Sequence, residues 1–313
     1  MKIKVAILGY GNLGKAVEQE ILKDKSLQLV AIFSSRKNIF STYKTPILHK
    51  NEILKYTKKI DLLILCSGSQ TDMLIDAPLY SKYFNTINTF DSHNEIATLY
   101  KKLNNVAIKH NKIAILSAGW DPGLFSQIRL MFSTIMQTKC TCFWGKGTSL
   151  GHSQAVKNIS GVKDAISFTI PNTLARFAVI NNKPVSTYLH KRKVYVVSEN
   201  KLQNQQIKKN ISNIPHYFKG QNVKIKFVNQ QKLNKLKSLK HKGEIWCKNP
   251  QHSLKLQVKM NSNPIFTAKI ILCYARAIKK IEKKYKRGAY TPLHFSPLDL
   301  CMQRELTCIK NFC

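Results

Sequence analysis

Gly9-Tyr10-Gly11-Asn12-Leu13-Gly14 follows a short apolar run, Lys2 to Leu8, and precedes an amphipathic stretch ending near Leu22. Glycines at this spacing between a strand and a helix permit a tight turn and let the backbone approach a pyrophosphate, while the helix N-terminus aims N–H groups at it. The pattern predicts a dinucleotide site. About twenty residues further on, a site for NAD places a carboxylate on the ribose hydroxyls. This chain has Ser34-Ser35-Arg36-Lys37 there instead. Two hydroxyls and two cations, with Arg36 able to fork onto phosphate oxygens, suit a 2′-phosphate, so NADP is the expected cofactor.

Two carboxylates form the next set. Thr86 to Phe90 reads as a strand and ends in Asp91-Ser92-His93, and Lys112 to Ser117 reads as another and ends in Ala118-Gly119-Trp120-Asp121-Pro122-Gly123. Asp91 and Asp121 thus lie just past strand ends, on the sheet edge where an open parallel sheet binds its ligand. A third strand, Asp61 to Cys66, opens into Ser67-Gly68-Ser69-Gln70-Thr71-Asp72, a small polar loop that, with Cys66 before it, would line the same crevice.

These loops require a frame. With Leu27 to Phe33 as a further strand, strands and helices alternate as far as Gly119, which predicts a Rossmann-type doubly wound α/β domain over residues 1–120. A helix follows from about Leu124 to Met136, then strand candidates at Ala165 to Ile170, Lys191 to Val197, Val223 to Val228 and Leu254 to Met260. Residues 121–264 therefore read as a second, α+β domain. The stretch from Thr267 to Tyr285, whose later part is helical, and the chain to residue 313 are expected to return and complete the first domain.

Composition removes several classes. The chain has 313 residues, 43% apolar and 21% charged, enough for two cores. The formal charge of +35 comes almost wholly from lysine, with arginine only at Arg36, Arg129, Arg176, Arg192, Arg276, Arg287 and Arg304. Lysine spread through every segment reads as compositional bias, because nucleic-acid sites gather arginine and stacking aromatics, so no specific nucleic-acid partner is expected. No run reaches the roughly 18 apolar residues a membrane span requires, and a cytoplasmic protein without membrane contact is expected. The 8 cysteines are scattered and show no zinc-ligand spacing, so no metal is expected.

The chain resembles the meso-diaminopimelate dehydrogenases over nearly its full length. The likeness rests on Val5 to Gly14, Ile32 to Arg36, Leu65 to Asp72, Thr89 to His93, Gly119-Trp-Asp-Pro-Gly123, Phe143-Trp-Gly145, Gly151-His-Ser153, His190-Lys-Arg192, and Asn263-Pro264 with Phe266-Thr-Ala268. The resemblance implies NADP-dependent oxidative deamination at the D-centre of meso-2,6-diaminopimelate, releasing ammonia. It implies that Asp91 and Asp121 attend the amino group there and that Trp120 and Trp144 wall it. The resemblance further implies that Gly151 lies near the D-centre carboxylate and that Thr169, Arg192, His241 and Asn263 hold the distal L-centre. A homodimer formed through the second domain is also implied. His93, His152 and His190 read as supporting residues.

Departures from the family pattern bear on specificity. Leu150 stands where a glutamine commonly precedes Gly-His-Ser, which removes an amide beside the reacting end. Phe90 replaces a usual tyrosine, and the loop between His241 and Asn263 reads as shortened and without the family's glycine-rich hairpin. A broad D-amino-acid dehydrogenase is the rival enzyme, and a catalytically degenerate NADPH-binding protein or a basic RNA-associated protein the rival binding class.

Overall fold

A computed structural model describes residues 2–68, 72–215 and 217–313. The chain divides into two compact units, one holding the chain up to Ile128 together with Pro264–Cys313, the other Arg129–Asn263.

In the first unit the chain runs β1 (Ile3–Leu8), α1 (Asn12–Leu22), β2 (Leu27–Ser34), β3 (Ile47–His49), β4 (Leu62–Leu65), α2 (Asp72–Tyr80), β5 (Asn85–Asn88), α3 (Ile96–Lys109) and β6 (Ile113–Ile115). Helix α4 (Leu124–Met136) then leaves it. Seven described strands, including β14 (Gly288–Tyr290) from the C-terminal part of the chain, form a parallel sheet in the order β14-β6-β5-β4-β1-β2-β3. Alternation along β1 splits its residues between two cores. Val5 and Ile7 pack with Ala16, Val17 and Ile21 of α1, while Ala6 and Leu8 pack with Met73 and Ala77 of α2 and Leu99 and Leu103 of α3. Burial on both faces explains why these strands read as continuous apolar runs. Strand order reverses at β1, with β2 on one side and β4 on the other, and this is where an open α/β sheet forms its ligand crevice.

The second unit continues with β7 (Thr141–Trp144), β8 (Gly147–Thr148), α5 (Leu150–Lys157), β9 (Val162–Pro171), α6 (Thr173–Ile180), β10 (His190–Ser198) and α7 (Asn204–Ser212). It ends with β11 (Val223–Phe227), α8 (Gln230–Leu236), β12 (His241–Lys248) and β13 (Ser253–Met260). Its described strands form a sheet ordered β11-β10-β9-β8 and a smaller one ordered β13-β12-β7. Val194 and Val196 of β10 share a core with Val156 of α5 and Ile207 and Ile211 of α7.

The structure differs from the sequence reading in the later chain. The stretch after His241, read as loop, is strand β12, and it forms an antiparallel hairpin with β13. Its signal is hidden because the buried face carries His241 and Gly243 beside Ile245 and Cys247, while the apolar Trp246 sits on the other face among Lys242, Glu244 and Lys248. Helix α9 (Asn263–Lys284) is continuous from Asn263 rather than helical only in its later part. It packs Ala268, Ile271, Leu272, Ala275 and Ile278 on the core shared with α1. Beyond it, β14 (Gly288–Tyr290) adds an edge strand beside β6, too short for a periodic signal, and helices α10 (Pro297–Leu300) and α11 (Glu305–Phe312) close the chain.

Candidate active site

The glycine turn sits at the C-terminal end of β1. Gly9 has φ +96°, and a Cβ there would meet Cys66 carbonyl atoms at 2.8 Å, while one at Gly14 would meet the Gly9 oxygen at 2.1 Å. Both positions require glycine for contacts within the protein. At Gly11 a Cβ would meet nothing within 4 Å. Gly11 is also the N-cap of α1, which has no side-chain cap and no acidic residue in its first turn. The helix N-terminus therefore presents N–H groups and positive dipole to open space, as a pyrophosphate requires. Tyr10, Asn12 and Leu13 complete the turn, with Tyr10 buried and its hydroxyl donating to Glu18 at 2.5 Å.

Arg36 folds over this turn. Its Nη2 donates to the Tyr10 carbonyl, and its backbone N–H donates to Ser34 Oγ at 3.1 Å. Ser34, Ser35 and Arg36 thus stand at the end of β2 beside the glycine loop. At the end of β4, Ser67 Oγ donates to Asp76 at 2.9 Å and burial pushes the Cys66 thiol up. Gly68 begins the loop, and the cofactor candidates Ser69 and Thr71 lie outside the described residues.

Asn88 ties together the loops that carry the two carboxylates. Its Oδ1 accepts from Phe90 N–H at 3.1 Å and Ser117 N–H at 3.3 Å, its carbonyl accepts from Ala118 N–H at 2.8 Å, and Ser117 Oγ donates to the Phe90 carbonyl at 2.7 Å. Asp91 directly follows Phe90, and Asp121 lies in the loop that begins after Ala118, so both stand just beyond these laced strand ends. The loop bearing Asp121 is tight, because a Cβ on Gly123, at φ +135°, would meet the Gly119 oxygen at 1.9 Å. Trp120, 8% exposed, packs edge-on against Phe125 with centroids 5.2 Å apart.

In the second unit, strand register assembles a row. Gly147 opposes Thr169, Thr169 opposes Arg192, and Arg192 pairs with Val223. The Arg192 guanidinium donates from Nη1 to Thr169 Oγ1 and from Nε to Gln221 Oε1 at 2.9 Å. His241 joins the row because Gly147 has no side chain: a Cβ there would meet the His241 ring at 2.4 Å. His241 Nδ1 lies 2.8 Å from the Lys242 carbonyl, which can only accept, so that nitrogen carries the proton. Asn263 follows β13, its N–H donating to the Leu239 carbonyl at 2.8 Å. Gly151 is exposed in the first turn of α5, and a Cβ there would lie 3.3 Å from the Tyr217 hydroxyl.

The electrostatics of this row are unbalanced. Arg192 is 9% exposed, and burial lowers its pKa to about 10. Among the described residues no carboxylate forms an ion pair with it, and its partners Gln221 and Thr169 are neutral. Burial, with the Arg192 charge as a further cause, pushes His152 down to about 3, His190 to about 3, and His241 below its ordinary value. One fixed cation surrounded by neutral rings is costly to bury alone. An anion placed on it recovers that cost, and a planar guanidinium offers a carboxylate two parallel donors.

Two members of this arrangement were not marked by sequence. Gln221 follows Gly220, whose φ of +74° turns the chain into β11, and a lone glutamine after a glycine has no signal of its own. Gly147 belongs to the Phe143-Trp-Gly-Lys-Gly147 motif, but its need for glycine comes from His241, 94 residues away by number (241 − 147).

The parallel sheet and the glycine turn define a two-unit protein whose first unit is of the Rossmann dinucleotide-binding type. Residues 119–262 match the family model described as the diaminopimelic acid dehydrogenase C-terminal domain. The meso-diaminopimelate D-dehydrogenase of Ureibacillus thermosphaericus is 35% identical over 302 residues, 93% of each chain. The structure of the Corynebacterium glutamicum DAP dehydrogenase in complex with DAP matches with TM-score 0.93 at 30% identity, covering 100% of this chain and 99% of that one. An engineered D-amino acid dehydrogenase bound to NADP+ matches with TM-score 0.93 at 30% identity, covering 100% of both. The chain belongs to the meso-diaminopimelate dehydrogenase family.

Proposed function

We propose that the protein catalyses reversible oxidative deamination at the D-centre of meso-2,6-diaminopimelate. Substrate, NADP+ and water give L-2-amino-6-oxopimelate, ammonia, NADPH and a proton, and the reverse direction supplies meso-diaminopimelate to lysine and cell-wall precursor synthesis. The observation that carries this reading is the buried, unneutralised Arg192 with its Thr169 and Gln221 partners, in a chain of this family. A substrate with an amino-acid group at each end supplies the missing carboxylate and still leaves a second centre to react.

The first unit has the features of an NADP site. Gly9 to Gly14 would hold the pyrophosphate, with the open space at Gly11 for its approach. Ser34, Ser35 and Arg36 would hold the 2′-phosphate, and Cys66, Ser67, Gly68, Ser69 and Thr71 would line the crevice. NADP+ held there would supply the acceptor for the hydride that leaves the D-centre Cα.

The remaining work falls to side chains. Asp91 and Asp121, on loops fixed through Asn88, take the proton from the substrate ammonium and stabilise the positive charge that develops on the imine nitrogen. Trp120 and Trp144 wall the reacting end, and Gly151 leaves backbone open to its carboxylate. Arg192, Thr169, His241 and Asn263 hold the distal end, converting remote binding energy into alignment of the transferring hydrogen.

The second unit also exposes Leu130, Met131 and Ile135 of α4 and Leu174 and Phe177 of α6, which supports a homodimer formed through it. No helix of the described residues is long and apolar enough to cross a membrane. We place the activity in the cytoplasm.

The test is NADPH formation from separated meso-, LL- and DD-diaminopimelate and D-lysine, with NADP+ and NAD+ in parallel. Turnover confined mainly to the meso isomer and NADP+ is expected. Comparable turnover of D-lysine would favour a broad D-amino-acid dehydrogenase, and NADPH binding without any turnover would favour a binding protein. Light scattering of the purified protein is expected to give twice the 35.8 kDa chain mass, and a monomer would remove the dimer proposal.

A further inference from the structure

Trp144 ends β7, the edge strand of the smaller sheet, and is followed by Gly145 at φ +106°. On its outer side an edge strand has no ladder partner for its N–H groups. The Trp144 N–H is taken instead by a side chain of the other sheet: it donates to His190 Nε2 at 2.8 Å. The same imidazole lies flat on the Trp144 indole, with centroids 4.7 Å apart and planes 18° apart. His190 is 8% exposed and opens β10, where it opposes Pro171. The period of two along a strand puts it on the same face as Arg192.

One ring therefore fixes Trp144 twice. The hydrogen bond sets its backbone, and the stack sets the plane of the indole. The bond also defines the tautomer, because an acceptor Nε2 leaves the proton on Nδ1. Burial first, then the charge of Arg192 and the nearby His241, keep the imidazole neutral down to a pKa of about 3. The acceptor thus persists over any ordinary working pH.

We propose that His190 is a positioning residue for the reaction: it acts through Trp144, fixing the wall that Trp144 presents to the substrate. The inference rests on the proposed function, in which Trp144 is that wall.

Three variants separate its two contacts. His190→Leu removes both, His190→Phe keeps a flat ring without an acceptor, and His190→Gln keeps an acceptor without a ring. Steady-state kinetics are expected to show KM for meso-diaminopimelate raised about tenfold or more in His190→Leu, with partial recovery in both other variants. KM for NADP+ should stay within about twofold in all three, because those contacts lie on other residues. In a ¹⁵N correlation spectrum the Trp144 amide should move strongly in the Leu and Phe variants and least in His190→Gln. KM values equal to wild type in all three would overturn the proposal. So would losses shared equally by NADP+ affinity and melting temperature without recovery in either conservative variant, which mark a purely structural residue. If the wild-type protein fails to turn over meso-diaminopimelate, the functional reading falls and this inference with it. An active wild type with unaffected variants removes the positioning role alone.

Discussion

Arg192 on β10 donates from its guanidinium to the hydroxyl of Thr169, its directly opposed partner on β9. Opposed residues in an antiparallel pair share a face, so this contact is a consequence of register. The fork needs both Thr169 and Gln221 to hold its plane. Arg192→Lys keeps the charge and loses the fork. KM for meso-diaminopimelate is expected to rise roughly thirtyfold, equivalent to about 2 kcal/mol, while KM for NADP+ stays within about twofold. A change of less than about threefold in substrate KM would show that Arg192 does not hold the substrate.

Arg36 lies over the glycine turn with no carboxylate beside it at the end of β2. In Arg36→Ala the affinity for NADP+ is expected to fall about tenfold or more, with that for NAD+ little changed, because only the 2′-phosphate loses its charge-assisted bonds. Titration of both nucleotides by fluorescence measures this. Equal loss for NADP+ and NAD+ would place Arg36 on the pyrophosphate or the turn itself.

Stability should fall with acid before most carboxylates titrate. His152 and His190 have folded pKa values near 3, against about 6.5 when unfolded. The unfolded chain therefore binds their protons first. Their contribution is fully present above about pH 6.5 and is lost as pH falls toward 3, by about 1.4 kcal/mol per pH unit for each histidine. Asp164, lowered to about 2 with Lys157 and Gln230 as partners, adds its loss only below about pH 4. Denaturant unfolding between pH 7 and 5 should show a slope that shrinks by about one proton in His190→Gln. A slope unchanged by that substitution would mean that His190 is protonated in the folded protein.

Leu150 begins α5 immediately before Gly151. Restoring an amide there, in Leu150→Gln, is expected to raise the ratio of rates on meso-diaminopimelate to those on simple D-amino acids by several-fold, about 1 kcal/mol for a hydrogen bond. An unchanged ratio would show that the side chain at this position does not face the reacting end.

Motifs of local origin were legible in the sequence. The glycine turn, the basic end of β2 and the two strand-end carboxylates each depend on a few consecutive residues whose chemistry is set by type and order. The parallel sheet was legible for a related reason: strands buried on both faces are continuous apolar runs, as in Leu62–Leu65. Strand β12 was not, since its buried face includes His241 and Gly243 and its other face the apolar Trp246, and neither was β14, with only three residues.

What tertiary structure decided is the company each side chain keeps. Thr169, Arg192 and Gln221 lie far apart in the chain and meet because β9, β10 and β11 pair in one register. His190 reaches Trp144 only because an edge strand of one sheet lies beside the first residue of a strand in the other. Residue type tells what each group can do, and its neighbours in the linear chain tell which element carries it. Burial, protonation and pairing are set by atoms that the linear order does not place together. The burial of Arg192 among neutral partners and the neutral histidines near it could therefore be read only from the folded protein.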